Sequence, residues 1–153
     1  MLFVKRTFSL LALVFLLAIS VSPVFAAPPL PVHIEVDETF GLNTPEPFTA
    51  SGPAVVAGLI CATGMVEDVT VTSNSPSGPF QIIKVLKRFD CGDGTFDLKM
   101  VVKLNLATQN TTARWRILGG TGGYAGLKGH GSLIGITNDP DPGIFDTYDG
   151  VVK

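Results

Sequence analysis

The stretch TFDLKMVVKLNL, residues 95–106, decides how this chain folds. Phe96, Leu98, Met100, Val102, Leu104 and Leu106 take every second position, with Thr95, Asp97, Lys99, Lys103 and Asn105 between them. Only Val101 breaks the alternation. A helix would scatter these side chains around its axis, whereas a period of two puts the apolar set on one face of a strand. A dozen residues with one dry and one wet face predict a long antiparallel strand.

Working back towards the N-terminus, Asp90-Cys91-Gly92-Asp93-Gly94 reads as a hairpin turn, preceded by a strand over Phe80–Phe89. Within it Lys84, Lys87 and Arg88 do not share a face, which a bulge or a polar position inside a barrel would explain. Residues 73–79, SNSPSGP, are loop chemistry, and Met65–Thr72 is a strand rich in Val and Thr. Thr63-Gly64 reads as a turn. Ala54–Cys61, small and apolar, suits a strand buried on both faces, or one packed closely against another backbone. Residues 41–53 hold three prolines and two glycines and read as a loop. In Val32–Phe40, Val32, Ile34 and Val36 alternate with His33, Glu35 and Asp37, a half-buried strand.

Towards the C-terminus, Ala107–Asn110 is a turn, followed by RWRILGGTGGYAGLKGHGSL over residues 114–133. Trp115 and Ile117 alternate with Arg114 and Arg116, and seven glycines then fall between Gly119 and Gly131. Gly119, Gly120, Gly122, Gly123 and Gly126 predict a tight structural corner, since glycine allows positive φ and close backbone approach. Tyr124 and Leu127 would plug one end of a barrel. Gly131–Thr137 is a strand, residues 138–143 are a turn, and Ile144–Val152 closes the chain as a strand. About eight antiparallel strands without an amphipathic helix predict an all-β fold, a closed barrel that leaves no edge. A two-sheet sandwich is the alternative.

Residues 1–26 read as a secretory signal peptide. Lys5 and Arg6 form the positive region, Leu10–Ile19 the apolar one, and Val24-Phe25-Ala26 the cleavage site. An uncleaved signal anchor is the other possibility. Residues 27–31 form a Pro-rich arm, and residues 32–153 one barrel domain. The expected location is secreted, periplasmic or extracellular, with no membrane association after cleavage. Without the signal, nine basic residues face thirteen acidic ones, a charge of −4. A mildly acidic chain lacking a basic run argues against nucleic acid and against an anionic membrane surface.

Cys61 and Cys91, an isolated pair in an exported chain, predict one disulfide. A nucleophilic cysteine would need His33 or His130 as base, and no spacing brings either near. No P-loop lysine occurs, and Gly120-x-Gly122 lacks the helix and βαβ unit of a dinucleotide site, so no cofactor is expected. Asp139, Asp141, Asp146 and Asp149 lack EF-hand spacing and read as a solvated turn, and two histidines without a third ligand make no metal centre. Asn110-Thr111-Thr112 fits the glycosylation pattern.

The run Leu118–Gly131, the segment Asp146–Gly150 and the strand-turn-strand around Cys91–Phe96 resemble the allene-oxide-cyclase and dirigent group of calycin-like barrels. They are more closely similar to small secreted bacterial proteins of that barrel type. The likeness spans Val32–Val152 and implies that the glycine motif forms a corner between two late strands. Two functions are expected from the chain as a whole. One is binding of a small apolar ligand inside the barrel, lined by Phe96, Leu98, Met100, Trp115 and Tyr148. The other is a cyclase or isomerase acting on an apolar substrate, with Lys84, Arg88, Arg114 and Tyr148 as candidate polar groups if the untidy strand points a charge inward. A structural or partner-binding module, including a homo-oligomer, is a further alternative.

Overall fold

Each strand of this chain pairs with the next one in sequence, and the last pairs with the first. The computed structural model describes residues 27–39, 44–138 and 143–153. In order, the strands are β1 (Leu30–Thr39), β2 (Glu46–Ser51), β3 (Thr63–Ser73), β4 (Phe80–Asp90), β5 (Thr95–Asn105), β6 (Thr111–Gly120), β7 (Gly129–Asn138) and β8 (Gly143–Val152). All pairings are antiparallel, and together they make a closed eight-stranded barrel. The expected signal peptide and the tip of the 138–143 turn lie outside the described residues.

The alternation that predicts β5 sets the inside of the barrel. Phe96, Leu98, Met100 and Val102 are buried, while Lys99, Val101 and Lys103 point outward. Across the interior Phe89 stacks on Phe96 at 4.8 Å and meets Phe48 and Tyr148 edge-on at 5.1 and 6.0 Å. These offset and edge contacts are the arrangements that aromatic quadrupoles favour.

Two expectations for the second strand need correction. Ala54–Cys61 is not a strand: Pro53–Val56 forms a single helical turn, α1, and the chain turns on to Ile60. Pro53 opens that turn, where its missing N–H has no helical partner to lose. The apolar character of the segment serves to cap the barrel end, with Ala54 and Ile60 buried and Val56 exposed. The strand itself lies in the predicted loop, at Glu46–Ser51. Pro47 is tolerated as its second residue, where only one ladder bond at the strand's beginning is lost. Thr63-Gly64, read as a turn, begins β3 instead.

The glycine run folds as expected into a corner between β6 and β7, with one 3-10 turn at Gly122–Tyr124. Gly119 and Gly122 have φ of 137° and 56°, conformations that glycine adopts without strain. Tyr124 and Leu127 are buried and close that barrel end together with α1. Cys61 and Cys91 are disulfide-bonded there, with Cα atoms 5.8 Å apart, tying the β2–β3 connection to the β4–β5 turn.

Candidate functional site

Four ionisable side chains sit on the inward-facing positions of different strands. Glu38 follows Val32, Ile34 and Val36 on β1, Asp68 follows Val66 on β3, Lys87 lies between Val85 and Phe89 on β4, and Asp146 lies between Ile144 and Tyr148 on β8. The register places Asp68 opposite Lys87, and a bulge between Asp68 and Thr70 follows directly. Lys87 is 5% exposed and Asp146 6%. Burial of such groups costs several kcal/mol unless each is paired.

Lys87 meets that cost by bridging. Its Nζ is 2.7 Å from Glu38 Oε1, donates to Glu38 Oε2 at 2.8 Å, and lies 2.7 Å from Asp68 Oδ1. Burial pulls the Lys87 ammonium down, but the two carboxylates outweigh it and its pKa is raised. Burial raises Glu38 against the opposing pull of Lys87. Asp146 is pushed up to about 8, first by burial and then by the charge of Glu38. It is therefore largely protonated at neutral pH. Tyr148 OH lies 3.4 Å from Asp146 Oδ2, and burial followed by Asp146 raises the phenol.

Two buried oxygens beside this cluster, Asp146 Oδ1 and Thr137 Oγ1, have no hydrogen-bond partner among the described residues. Gly135 makes the room, because a Cβ there would fall on Asp146 Oδ1 and Thr111 Oγ1. The inward side of β3 is partly uncovered: the side chain of Asp68 is 40% exposed, and Val71, paired with inward-facing Val85, is 54% exposed.

The residues expected to line a pocket are inside, but packed against one another. Phe96, Leu98, Met100, Trp115 and Tyr148 are all buried. Trp115 donates from Nε1 to Ser132 O at 2.9 Å, and its ring lies over Gly131 and Gly150. The expected charges are not inside. Lys84 and Arg114 are exposed on the outer face, and Arg88 is there too, in a two-pronged bond to Asp97 at 2.8 and 3.0 Å. The strand does point a charge inward, and it is Lys87. Counting in twos from Phe89 finds it.

The histidines lie outside. His130 is exposed, and His33 contacts Asp149 at 2.7 Å and Glu35 at 3.3 Å, which together raise its pKa. The acidic turn is divided by the strand pleat, with Asp146 inward and Asp149 outward, while Asp139 and Asp141 lie outside the described residues. No group of three or more His, Cys, Asp or Glu that could hold a metal occurs among the described residues, and no described helix is long and apolar enough to cross a membrane.

Fold and site together define an up-and-down antiparallel barrel, closed at the glycine-corner end and carrying a charged, acid-rich cluster inside. No protein-family model, curated protein or solved structure matches the chain.

Proposed function

We propose that this chain is an exported barrel that binds a small, largely apolar ligand, with the polar end of the ligand directed at the Glu38–Lys87–Asp146 cluster. The observation that carries the reading is Asp146 Oδ1, a buried carboxyl oxygen left without a partner beside the apolar core. Convergent polar groups with perturbed pKa beside an apolar wall are what small-molecule sites use for orientation. The apolar body would lie against inward-facing Val71, Ile83 and Val85, above the Phe89–Phe96–Tyr148 cluster. Export is supported by the signal-like residues 1–26 and by the disulfide, which fits a non-cytoplasmic compartment.

Trp115 is the reporter. It lies in one cross-strand row with Val71, Val85 and Met100. Titration with fatty acids and small aromatics should give saturable quenching or a blue shift. A flat response, together with failure to bind an apolar dye, would overturn the proposal.

A cyclase or isomerase in the same barrel is the second reading. Asp146, whose pKa burial raises to about 8, would serve there as the general acid. The resemblance to the allene-oxide-cyclase and dirigent group supports it. Asp146→Asn should then retain ligand binding and lose turnover of the compound found by the titration.

A further inference from the structure

The chain is acidic overall, yet its cations are concentrated on one outer surface. On β4–β6 the register sets out a grid of three rows. Ile82, Lys103 and Thr112 form one row, Lys84, Val101 and Arg114 the next, and Leu86, Lys99 and Arg116 the third. Five of these nine positions are cationic and none is acidic. The outward residues of β7 that continue the rows, His130, Ser132 and Ile134, add no acid either. With strands about 4.8 Å apart and alternate residues about 6.8 Å apart, β4–β7 present a surface roughly 14 Å square.

Arg88 stands apart from these cations, because Asp97 pairs with it and Glu67 lies opposite. Lys103 rests over the Phe80 ring at 3.7 Å, and the other four cations form no ion pair among the described residues. The outward acids Glu35 and Asp37 lie on β1, away from this surface, and Asp149 on β8 stands opposite Ser132 at its edge, in contact with His33.

Val101 is the centre of the grid. It has Lys84 and Arg114 beside it on the neighbouring strands and Lys99 and Lys103 along its own. It is 48% exposed, and Ile82, Leu118 and Ile134 are exposed around it. Cations interleaved with aliphatic side chains match a layer that is anionic on top and apolar beneath. Nucleic acid fits less well, since Trp115 is buried and offers no stacking surface.

We infer that the outer face of β4–β6 docks on an anionic lipid surface, with Val101 as the apolar contact inside a ring of four cations. The net charge of −4 opposes approach at long range, but within a Debye length the headgroups meet this face and not the average.

Co-sedimentation of the disulfide-bonded chain with vesicles tests it. One set is phosphatidylcholine alone, and the other is two parts phosphatidylcholine to one part phosphatidylglycerol. The chain should bind the mixed vesicles and not the neutral ones, and added salt should release it. Each cation removed should weaken partitioning about fivefold, so Lys99→Glu with Arg114→Glu should abolish it. Val101→Ser should weaken binding several-fold and keep the salt dependence. Glu35→Gln, on the other side of the barrel, should leave it unchanged. All four side chains are exposed, and thermal melting checks that each variant is folded. Absence of binding to mixed vesicles, equal binding to both sets, or full binding by the double variant would overturn the inference. So would binding to heparin that ignores Val101 in a protein that does not sediment with vesicles.

Discussion

Lys87 Nζ lies 2.7 Å from Glu38 Oε1, across the interior from β4 to β1, strands that do not pair with each other. The same ammonium reaches Asp68 on β3. Lys87→Met would leave Glu38 buried without its counter-charge. Removing one member of a buried pair costs about 3–5 kcal/mol, whereas neutralising both is far less damaging. Urea denaturation should show a large loss for Lys87→Met and a smaller one for Lys87→Met with Glu38→Gln.

Asp146 links stability to pH in an unusual direction for a carboxylate. Its pKa rises from 3.8 to about 8, so the folded barrel keeps a proton that the unfolded chain releases. Its contribution is full below pH 3.8 and is lost as pH rises through about 8. Glu38 and His33, also raised, act with the same sign. Melting temperatures should fall between pH 5 and pH 8.5, with those titrating groups as the cause, and Asp146→Asn should fall less. At the alkaline end the variant should be the more stable protein.

Trp115 packs where two strands have no side chains. A Cβ on Gly131 would come 2.5 Å from Trp115 Cζ2 and would also fall on Asp149 O. Neither the indole nor the sheet can give way cheaply. Gly131→Ala should destabilise the barrel by about 1–3 kcal/mol, the usual cost of overpacking. A change in Trp115 emission should accompany it, whereas Gly123→Ala, with open space around its Cα, should leave emission unchanged.

The Cys61–Cys91 bond closes a loop of 30 residues. Chain entropy assigns such a loop roughly 3–4 kcal/mol. Replacing both cysteines by alanine should lower unfolding free energy by about that amount and leave the Phe89–Phe96 stacking and its near-ultraviolet dichroism in place.

Seven of the eight strands were legible, most of them because alternation is carried by large apolar residues such as Phe96, Trp115 and Tyr148, and β3 through its Val and Thr content. β2 was hidden by Pro45 and Pro47, whose turn signal outweighed Phe48, the one fully buried residue of a short strand. The apolar run at residues 54–61 looked like core because it is core, but of a cap and not a sheet. The inward acids carried a signal too. Glu38, Asp68 and Asp146 each sit on the apolar parity of their strands, next to Val36, Val66 and Tyr148. What no single strand could tell was the register that brings Glu38 and Asp68 to one lysine, with Asp146 near Glu38. The basic face was invisible for the same reason: its cations stand at alternate positions on three strands and make no run.

Because every strand pairs with its neighbour in sequence, seven of the eight pairings can zip up from adjacent segments. Only β1 with β8, where Leu30 meets Val152, must join the two ends of the fold. Closing that seam carries the largest loop entropy of the eight pairings, so it is the pairing expected to form last. Until it closes, β1 and β8 are bare edges open to pairing with other molecules. Protection of both edges therefore rests on ten residue pairs at one line along the wall. A chain rejoined at those ends and reopened at another turn would move that line without altering a single core contact.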